Sequence, residues 1–422
     1  MSILKDNKSN PIIVSIDLGS NGIRAMAAEK NDKGLLRILG VEESNQKPCV
    51  KRGIVTSTSD ASFMIKNIMT LLRNRINREL PNTVFVSVGG ASLIVVEVSS
   101  WRDQARKREI APNLLNAMEN ECRQKIETKN PGIAVLDVIP HYFELDKVEQ
   151  DMVPTPDQKA EILVGHYTAF VGKKELKEKV ENSFTQSSIG LECMFVRPDI
   201  LLNAFASKDD LINGCAILDL GAQTTTLTIF KGTRYLYNKV IAEGGEDITR
   251  DIELLGIPHA PAEHLKCKYG MAKPEMVTHT QRYKIKVSEE QNVSLTTLEL
   301  AETINNRLER ILAPLLTDLI AYEQRISVIY ITGGGSMLQG MLEYLQGKTE
   351  VPVEFGSHAC WLSSDTPDEI CYPRYASLVG TLALGDHYLQ QVQPQKNKKK
   401  RKPNIVKLLE EKTITLFDEN KE

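Results

Sequence analysis

A short apolar strand that ends in an Asp-x-Gly turn occurs twice in the chain, and this repetition constrains the fold more than any other feature. The first copy is residues 12–16 followed by DLGS, and the second is residues 216–218 followed by DLGA. Each copy leads into another apolar run and then a charged or glycine turn, which is the pattern of a β-hairpin. Two such units far apart in one chain predict duplicated halves rather than a solenoid array.

The segments around the hairpins alternate between helical and strand patterns, which predicts an α/β protein. Residues 59–77 have helical spacing, with an apolar stripe formed by Phe63, Ile65, Ile68, Met69, Leu72 and Ile76. Residues 295–322 are also helical, and we expect Pro314 to kink or break that helix. Between the hairpins, residues 91–172 contain apparent strands at 133–143 and 161–170, and they predict an inserted subdomain.

Composition excludes several classes of protein. A chain of 422 residues predicts two or more structural units, and a net charge of −3 argues against a nucleic-acid partner. The 7 cysteines form no CxxC pair or zinc spacing, which predicts no metal site and fits a reducing compartment. The N-terminus lacks an apolar signal core, and no apolar run is long enough to span a bilayer. We therefore expect a cytoplasmic location.

The two Asp-x-Gly turns have the chemistry of a phosphate clamp. In the first turn, Gly19 allows backbone N–H groups to approach an anion, and the Ser20 hydroxyl adds a donor. An aspartate at Asp17 or Asp219 suits a Mg²⁺ held through water, because Mg²⁺ keeps most of its hydration shell. Alone, one such turn is better explained as an ordinary hairpin with an Asx turn, and the threonines at 224–226 are also good strand sequence.

Two further elements fit the same site. The glycine triplet at 333–335 follows an apolar strand at 327–331, and Leu338 and Leu342 predict a helix whose positive N-terminus would face a ligand. Glu263 and Lys266 lie three residues apart on one helix face, although a solvated surface pair explains them as well.

Together these motifs resemble the actin/Hsp70/sugar-kinase superfamily, and within it the FtsA family of bacterial cell-division proteins. The similarity runs from about residue 12 to 385 and includes several stretches that resemble FtsA specifically, which are GIV at 53–55, VIP at 138–140, GGEDITRD at 244–251, AEHLKCKYG at 262–270 and ITGGGSMLQG at 331–340. The resemblance implies an α/β, actin-like, two-lobed ATPase fold with duplicated RNase H-like cores, an FtsA-type inserted subdomain, and a disordered linker that ends in an amphipathic helix.

The resemblance also implies a division into subdomains. They are 11–90 (first part of subdomain 1A), 91–172 (inserted subdomain 1C), 173–212 (second part of 1A), 213–243 (first part of 2A), 244–324 (subdomain 2B), 325–372 (second part of 2A), 373–390 (return to 1A), 391–403 (basic linker) and 404–422 (amphipathic membrane-targeting tail).

By the same resemblance, the site residues would bind ATP with Mg²⁺. The assignments are Asp17, Gly19, Ser20 and Arg24 to the first phosphate motif; Asp219, Gly221 and Thr224 to the second; Gly244 and Gly245 to the ribose and phosphates; Glu263 and Lys266 to the nucleoside; Gly333, Gly334 and Gly335 to the adenosine motif; Met337 to the base pocket; and Asp17 and Asp219 to Mg²⁺ through water.

The second phosphate motif departs from the family pattern Asp-x-Gly-Gly-Gly-Thr-x-Asp. Ala222, Gln223 and Thr226 replace two glycines and the final aspartate, and a side chain at 222 or 223 restricts backbone approach to the γ-phosphate. The connecting helix after residue 195, which begins VRPD, contains no clear activating Gln or Glu, so the sequence assigns no catalytic base. We expect slow or absent hydrolysis, and at most a weak ATPase.

Beyond residue 390 the chain becomes polar and basic. The run KKKRK at 398–402 precedes a short tail at 404–417, where Ile405, Leu409 and Leu416 share one face of a helical wheel. Anionic lipid attracts such basic residues at ~1 kcal/mol each. A disordered tail, or a helix on a protein partner, fits the pattern equally, and the resemblance favours a reversible membrane anchor at 396–417 that gains avidity on a polymer.

The resulting expectation is a scaffold of bacterial division at the cytoplasmic face of the membrane. It would bind ATP, self-assemble like actin, attach to anionic inner-membrane lipid, dock the C-terminal tail of FtsZ on subdomain 2B, and meet later divisome proteins. Two alternatives remain: an actin-fold kinase or brisk ATPase, and an adaptor like the pilus-assembly protein PilM, which lacks the basic tail.

Overall fold

The computed structural model of the protein describes residues 11–44, 46, 49–151, 153–232, 234–287 and 292–392. The predicted membrane anchor at 396–417 lies outside the described residues, as does the linker from residue 393 onward.

The first lobe begins with a β-hairpin at the centre of a sheet. Its first elements are β1 (Ile12–Gly19), β2 (Gly22–Lys30), β3 (Leu36–Ser44), β4 (Val50–Lys51), β5 (Ile54–Val55), α1 (Thr58–Ile76) and β6 (Thr83–Val88). The Ser57 hydroxyl caps α1 by accepting a hydrogen bond from the Asp60 N–H at 3.3 Å. The predicted stripe on α1 needs one correction, because Phe63 is 55% exposed while Ile65 and Ile68 are buried.

The predicted insertion has its own antiparallel sheet. Its elements are β7 (Ile94–Glu109), α2 (Pro112–Lys129), β8 (Ile133–Leu145), β9 (Val148–Gln150) and β10 (Lys159–Lys173), with strand order β7-β10-β8-β9. Buried side chains of α2 and of the long strands form a separate apolar cluster.

The chain then returns to the first sheet through α3 (Lys174–Ser187), β11 (Gly190–Val196), α4 (Arg197–Phe205) and α5 (Lys208–Asn213). Strand β11 pairs in parallel with β6, and β6 pairs in parallel with β1. The complete sheet has the order β11-β6-β1-β2-β3.

The second lobe repeats this arrangement. Its elements are β12 (Cys215–Leu220), β13 (Thr225–Lys231), β14 (Arg234–Ile241), α6 (Gly245–Glu253), α7 (His259–Tyr269), β15 (Arg282–Lys286), β16 (Asn292–Thr296), α8 (Thr297–Ile320), β17 (Val328–Thr332), α9 (Met341–Gln346) and β18 (Val353–Phe355). Its main sheet has the order β14-β13-β12-β17-β18, in which a central hairpin is flanked by two parallel strands as in the first lobe. The predicted duplication is confirmed.

The prediction at Pro314 was a kink or a break; helix α8 continues through this residue, so a break is wrong. An interior proline costs ~3 kcal/mol. The buried face of the helix carries Leu308, Ile311, Leu312 and Leu315, and full burial of two such side chains contributes about 3–6 kcal/mol. Packing therefore outweighs the local penalty.

The last described helix, α10 (Ala376–Val392), leads the chain back to the first lobe. It extends to Val392, into the predicted linker. Gly385 lies against the Phe85 ring, where an added Cβ would approach to 2.6 Å, so α10 packs closely on the first sheet. Among the helices of the described residues, none combines the length and the apolar character that crossing a membrane requires.

Candidate functional site

A cleft of about 820 Å³ lies between the two lobes, and both Asp-x-Gly turns open into it. All the predicted site residues line this cleft except Gly244. Gly244 lies behind the second turn, where an added Cβ would be 2.5 Å from the Gly221 carbonyl oxygen. The structure therefore brings together residues from positions 17 to 337 of the chain.

The first turn is held by a close backbone approach. Gly19 pairs with Gly22 at the end of the β1–β2 hairpin, and an added Cβ at 19 would be 2.9 Å from the Gly22 oxygen. Asp17 is 4% exposed, and its Oδ1 accepts a hydrogen bond from the Ser87 hydroxyl at 2.5 Å. Ser20 lies in the turn itself and faces the cleft.

Arg24 stands opposite Asp17 on β2. Its Nε donates to Glu43 Oε1 at 2.9 Å, and the same carboxylate accepts from Arg374 at 2.6 Å. Two arginines thus share one carboxylate at this wall of the cleft.

The second turn is equally tight. The Gly221 N–H donates to the Thr224 carbonyl at 2.9 Å, and Asp219, at the base of the turn, is 7% exposed. Gln223, one of the departures from the family pattern, reaches across the cleft. Its Oε1 accepts from the Arg52 N–H at 3.0 Å, and its Nε2 donates to Glu246. The side chain expected only to obstruct the turn therefore links the two walls.

The glycine triplet packs against the second turn. Gly333 has φ +82°, and an added Cβ would be 2.5 Å from Asp219 Oδ1, so both backbone conformation and space require glycine. Gly334 is different, because an added Cβ would meet nothing within 4 Å.

The helix predicted to follow the triplet from Leu338 begins later. A 3-10 turn covers Gly334–Met337, and α9 begins only at Met341. Gly340, with φ +78°, separates the two elements. The positive helix N-terminus expected beside the ligand is therefore not at the triplet, and the backbone of the 3-10 turn is what faces the cleft.

Glu263 and Lys266 form a part-buried hydrogen-bond network rather than a solvated pair. The Lys266 ammonium donates to Glu263 at 2.7 Å and, at 2.8 Å each, to the Gly245 carbonyl and the Thr249 hydroxyl. Burial acts to raise the pKa of Glu263, but the hydrogen bonds from Lys266 and Thr249 outweigh it and lower that pKa below its ordinary value. The network ties α6 to α7 at the edge of the cleft.

Arg197 is a residue of the site that sequence reasoning missed. It begins α4, and its guanidinium lies between the two aspartates, 2.6 Å from Asp17 Oδ1 and 3.7 Å from Asp219 Oδ2. Burial opposes the charge of Arg197, but the two carboxylates prevail and raise its pKa. Burial raises the pKa of Asp219 although Arg197 opposes the shift. The signal in the sequence is the arginine of VRP, which directly follows the buried strand that ends at Val196.

Within the part of the chain that the structure describes, no cluster of three or more acidic, histidine or cysteine side chains is arranged to hold a metal ion. The 7 cysteines all lie in that part and are free thiols.

Comparison with known proteins gives consistent matches. The family model described as cell division protein FtsA matches residues 216–380. A cell division protein FtsA from Helicobacter pylori (strain J99) is 24% identical over 408 residues, which cover 88% of this chain and 81% of the relative.

Among solved structures, the PilM–PilN type IV pilus biogenesis complex has a similar fold, with a TM-score of 0.63 and 16% identity over 88% of this chain and 97% of the other. MreB5 of Spiroplasma citri bound to ADP has a TM-score of 0.52 and 12% identity over 92% of this chain and 99% of the other. These matches show that the chain is similar to the bacterial cell-division protein FtsA over most of its length and that it has the actin-like fold.

Proposed function

We propose that the chain is a nucleotide-binding scaffold of bacterial cell division and that ATP binds in the cleft between its lobes. The observation that carries this proposal is the meeting of two Asp-x-Gly hairpins, from two separate sheets, at one cleft with a glycine triplet on its wall. The cleft volume of about 820 Å³ lies within the usual range for ligand sites. Support also comes from the similar fold of MreB5, whose structure contains ADP.

The proposed roles follow from position. The turns at 17–20 and 219–224 offer backbone N–H groups to the phosphates from opposite walls, as nests of amides do for anions. Arg24 contributes positive charge beside the first turn. Gly245, Glu263 and Lys266 border the ribose and nucleoside, while the open surface at Gly334 and the half-exposed Met337 receive the adenine ring.

Hydrolysis is proposed to be slow or absent. Ala222 and Thr226 stand where the family pattern has a glycine and an aspartate, and the helix that begins at Arg197 contains no Gln or Glu. No residue of the cleft is assigned as a catalytic base. Turnover on the order of 1 s⁻¹ or faster, which is typical of enzymes, would favour the kinase or ATPase alternative instead.

The scaffold role rests on the resemblance to FtsA. We propose self-assembly like actin, docking of the FtsZ C-terminal tail on subdomain 2B at 244–324, and contact with later divisome proteins. Attachment to anionic lipid on the cytoplasmic face at the division site is assigned to residues 396–417. Polymerisation would strengthen attachment, because several weak anchors on one polymer act together.

Two measurements test this function. Titration with a fluorescent ATP analogue should show saturable binding that unlabelled ATP reverses. Co-sedimentation with anionic vesicles should carry FtsZ down only when this protein is present. Saturable nucleotide binding without FtsZ recruitment would retain the site but reject the division role and favour an adaptor like PilM.

A further inference from the structure

The space between Asp17 and Asp219 does not fit a hydrated Mg²⁺. These two carboxylates were expected to hold the ion through water, and Mg²⁺ gives up its water shell reluctantly. In the structure the Arg197 guanidinium fills that space, with contacts of 2.6 Å and 3.7 Å to the two carboxylates. A monovalent organic cation thus already stands at the place proposed for the metal.

We infer that Arg197 replaces the divalent cation, so that the cleft binds the nucleotide as a metal-free polyphosphate. This inference rests on the proposed nucleotide site and specifies the ligand form that the site takes. Arg197 holds Asp17 and Asp219 together from within the chain and leaves its remaining N–H donors to the phosphates.

The surroundings of Arg197 are shaped for this side chain. Gly89 lies beside it, and an added Cβ at 89 would be 3.0 Å from both Cβ and Nε of Arg197, so a larger residue there would press on the arginine side chain. The Ser87 hydroxyl donates to the same Asp17 oxygen that accepts from Arg197, and this fixes the carboxylate. Pro198 follows at the start of α4, where its fixed φ suits the first turn of a helix.

The geometry of Arg197 also leaves some of its N–H donors available to bind phosphate. A guanidinium has five N–H groups in a rigid fork that matches phosphate oxygens. The side chain of Arg197 is 22% exposed, and Arg197 lines the cleft together with both turns. Part of the fork therefore faces the place proposed for the phosphates while another part binds Asp17.

The balance of charge also favours a cation between the two aspartates. Two carboxylates beside a polyphosphate repel it unless a cation stands between them. Arg197 supplies that cation permanently, because an arginine keeps its proton at physiological pH. No ion has to be captured before the nucleotide binds.

The decisive experiment uses the full-length wild-type chain and a fluorescent ATP analogue, titrated once with excess EDTA and once with Mg²⁺. We expect dissociation constants that agree within about threefold. Binding that is tenfold or more tighter with Mg²⁺ would overturn the inference and leave the nucleotide site intact. Absence of binding in both buffers would overturn the nucleotide site and this inference together.

Variants give a second readout. Arg197→Ala should weaken binding in EDTA by about tenfold or more, in line with the loss of charge-assisted hydrogen bonds, and Mg²⁺ should then restore part of it. Arg197→Lys keeps the charge and should retain binding better than the alanine variant. Arg325→Ala removes an exposed arginine outside the cleft and should leave the dissociation constant unchanged.

A metal readout without nucleotide separates the possibilities further. Mn²⁺ binding, followed by electron paramagnetic resonance, should be weak in the wild type and stronger in Arg197→Ala, where both carboxylates are released. Strong Mn²⁺ binding by the wild type that Asp17→Asn abolishes would overturn the inference, since the ion would then displace the arginine.

Discussion

Replacing Gly334 with glutamine tests the nucleotide site most directly. An added Cβ at Gly334 meets nothing within 4 Å, so the substitution extends into the cleft without a clash inside the protein. Exchanging glycine for another residue at an unstrained position even stabilises a fold by about 0.4–1 kcal/mol. We therefore expect an unchanged or slightly higher melting temperature.

The expected loss of affinity follows from crowding. A side chain forced into a filled site costs about 1–3 kcal/mol, which corresponds to binding that is about 5- to 150-fold weaker. The neighbouring Gly333 should behave differently, because alanine there has both a positive φ and a Cβ 2.5 Å from Asp219. Gly333→Ala should lower the melting temperature as well as the affinity.

The assay is a titration with a fluorescent ATP analogue, with thermal melting of each variant beside it. Gly132→Gln is the matched control, because an added Cβ at Gly132 also meets nothing within 4 Å and this residue lies in the insertion, outside the cleft. If Gly334→Gln binds the analogue as tightly as Gly132→Gln, the triplet does not border the base and ribose and the reasoning is refuted.

Three other predictions concern the lobes, the insertion and the tail. Gln223→Ala should speed hydrogen exchange of the Arg52 amide severalfold, since a net hydrogen bond contributes ~1 kcal/mol; mass spectrometry that finds unchanged exchange would contradict the link between the walls. The pKa of Glu121 is lowered from 4.5 to about 2, chiefly by a hydrogen bond from Lys125 on α2. The stabilising contribution of the ionised Glu121 carboxylate is therefore present above pH 4.5 and lost as the pH falls to about 2. Melting curves of the wild type and Glu121→Gln should converge across that window, and a constant difference would count against the ion pair. Leu409→Glu, or truncation after residue 395, should release the protein from anionic vesicles in flotation and leave ATP binding intact, whereas undiminished flotation would place the anchor elsewhere.

The parts of the fold that could be predicted are those with local chemistry. A buried strand, a tight turn and a return strand are encoded by consecutive residues. The hairpins at Asp17 and Asp219 could therefore be predicted from local sequence alone. The duplication followed because the two patterns match. The contact between Glu263 and Lys266 was predictable, because helical spacing brings the two side chains together. The rest of their network was not, because it depends on Gly245 and Thr249 of another helix.

The parts that could not be predicted depend on long-range partners. Arg197 contacts Asp17 at a sequence separation of 180 residues, and Gln223 contacts Arg52 at a separation of 171, so no local pattern encodes these pairs. Pro314 shows the converse case, in which a strong local signal was overruled by burial of the surrounding helix face. The displaced α9 had a local cause at Gly340, whose positive φ was not visible in the sequence.

The contacts among the glycine motifs have a mechanical consequence. Gly244 packs against Gly221, and Gly333 packs against Asp219, so three separate segments form one rigid wall of the cleft. The turn at Asp17 belongs to the opposite wall. A ligand bound between the two walls therefore chiefly sets the width of the cleft. In a row of stacked copies, small changes in the width of each cleft would add up to a change in subunit spacing. Ligand binding in the cleft would then alter the assembly far from the site. The radius of gyration of the monomer should decrease on saturation with ligand, and a constant value would argue against closure of the cleft by the ligand.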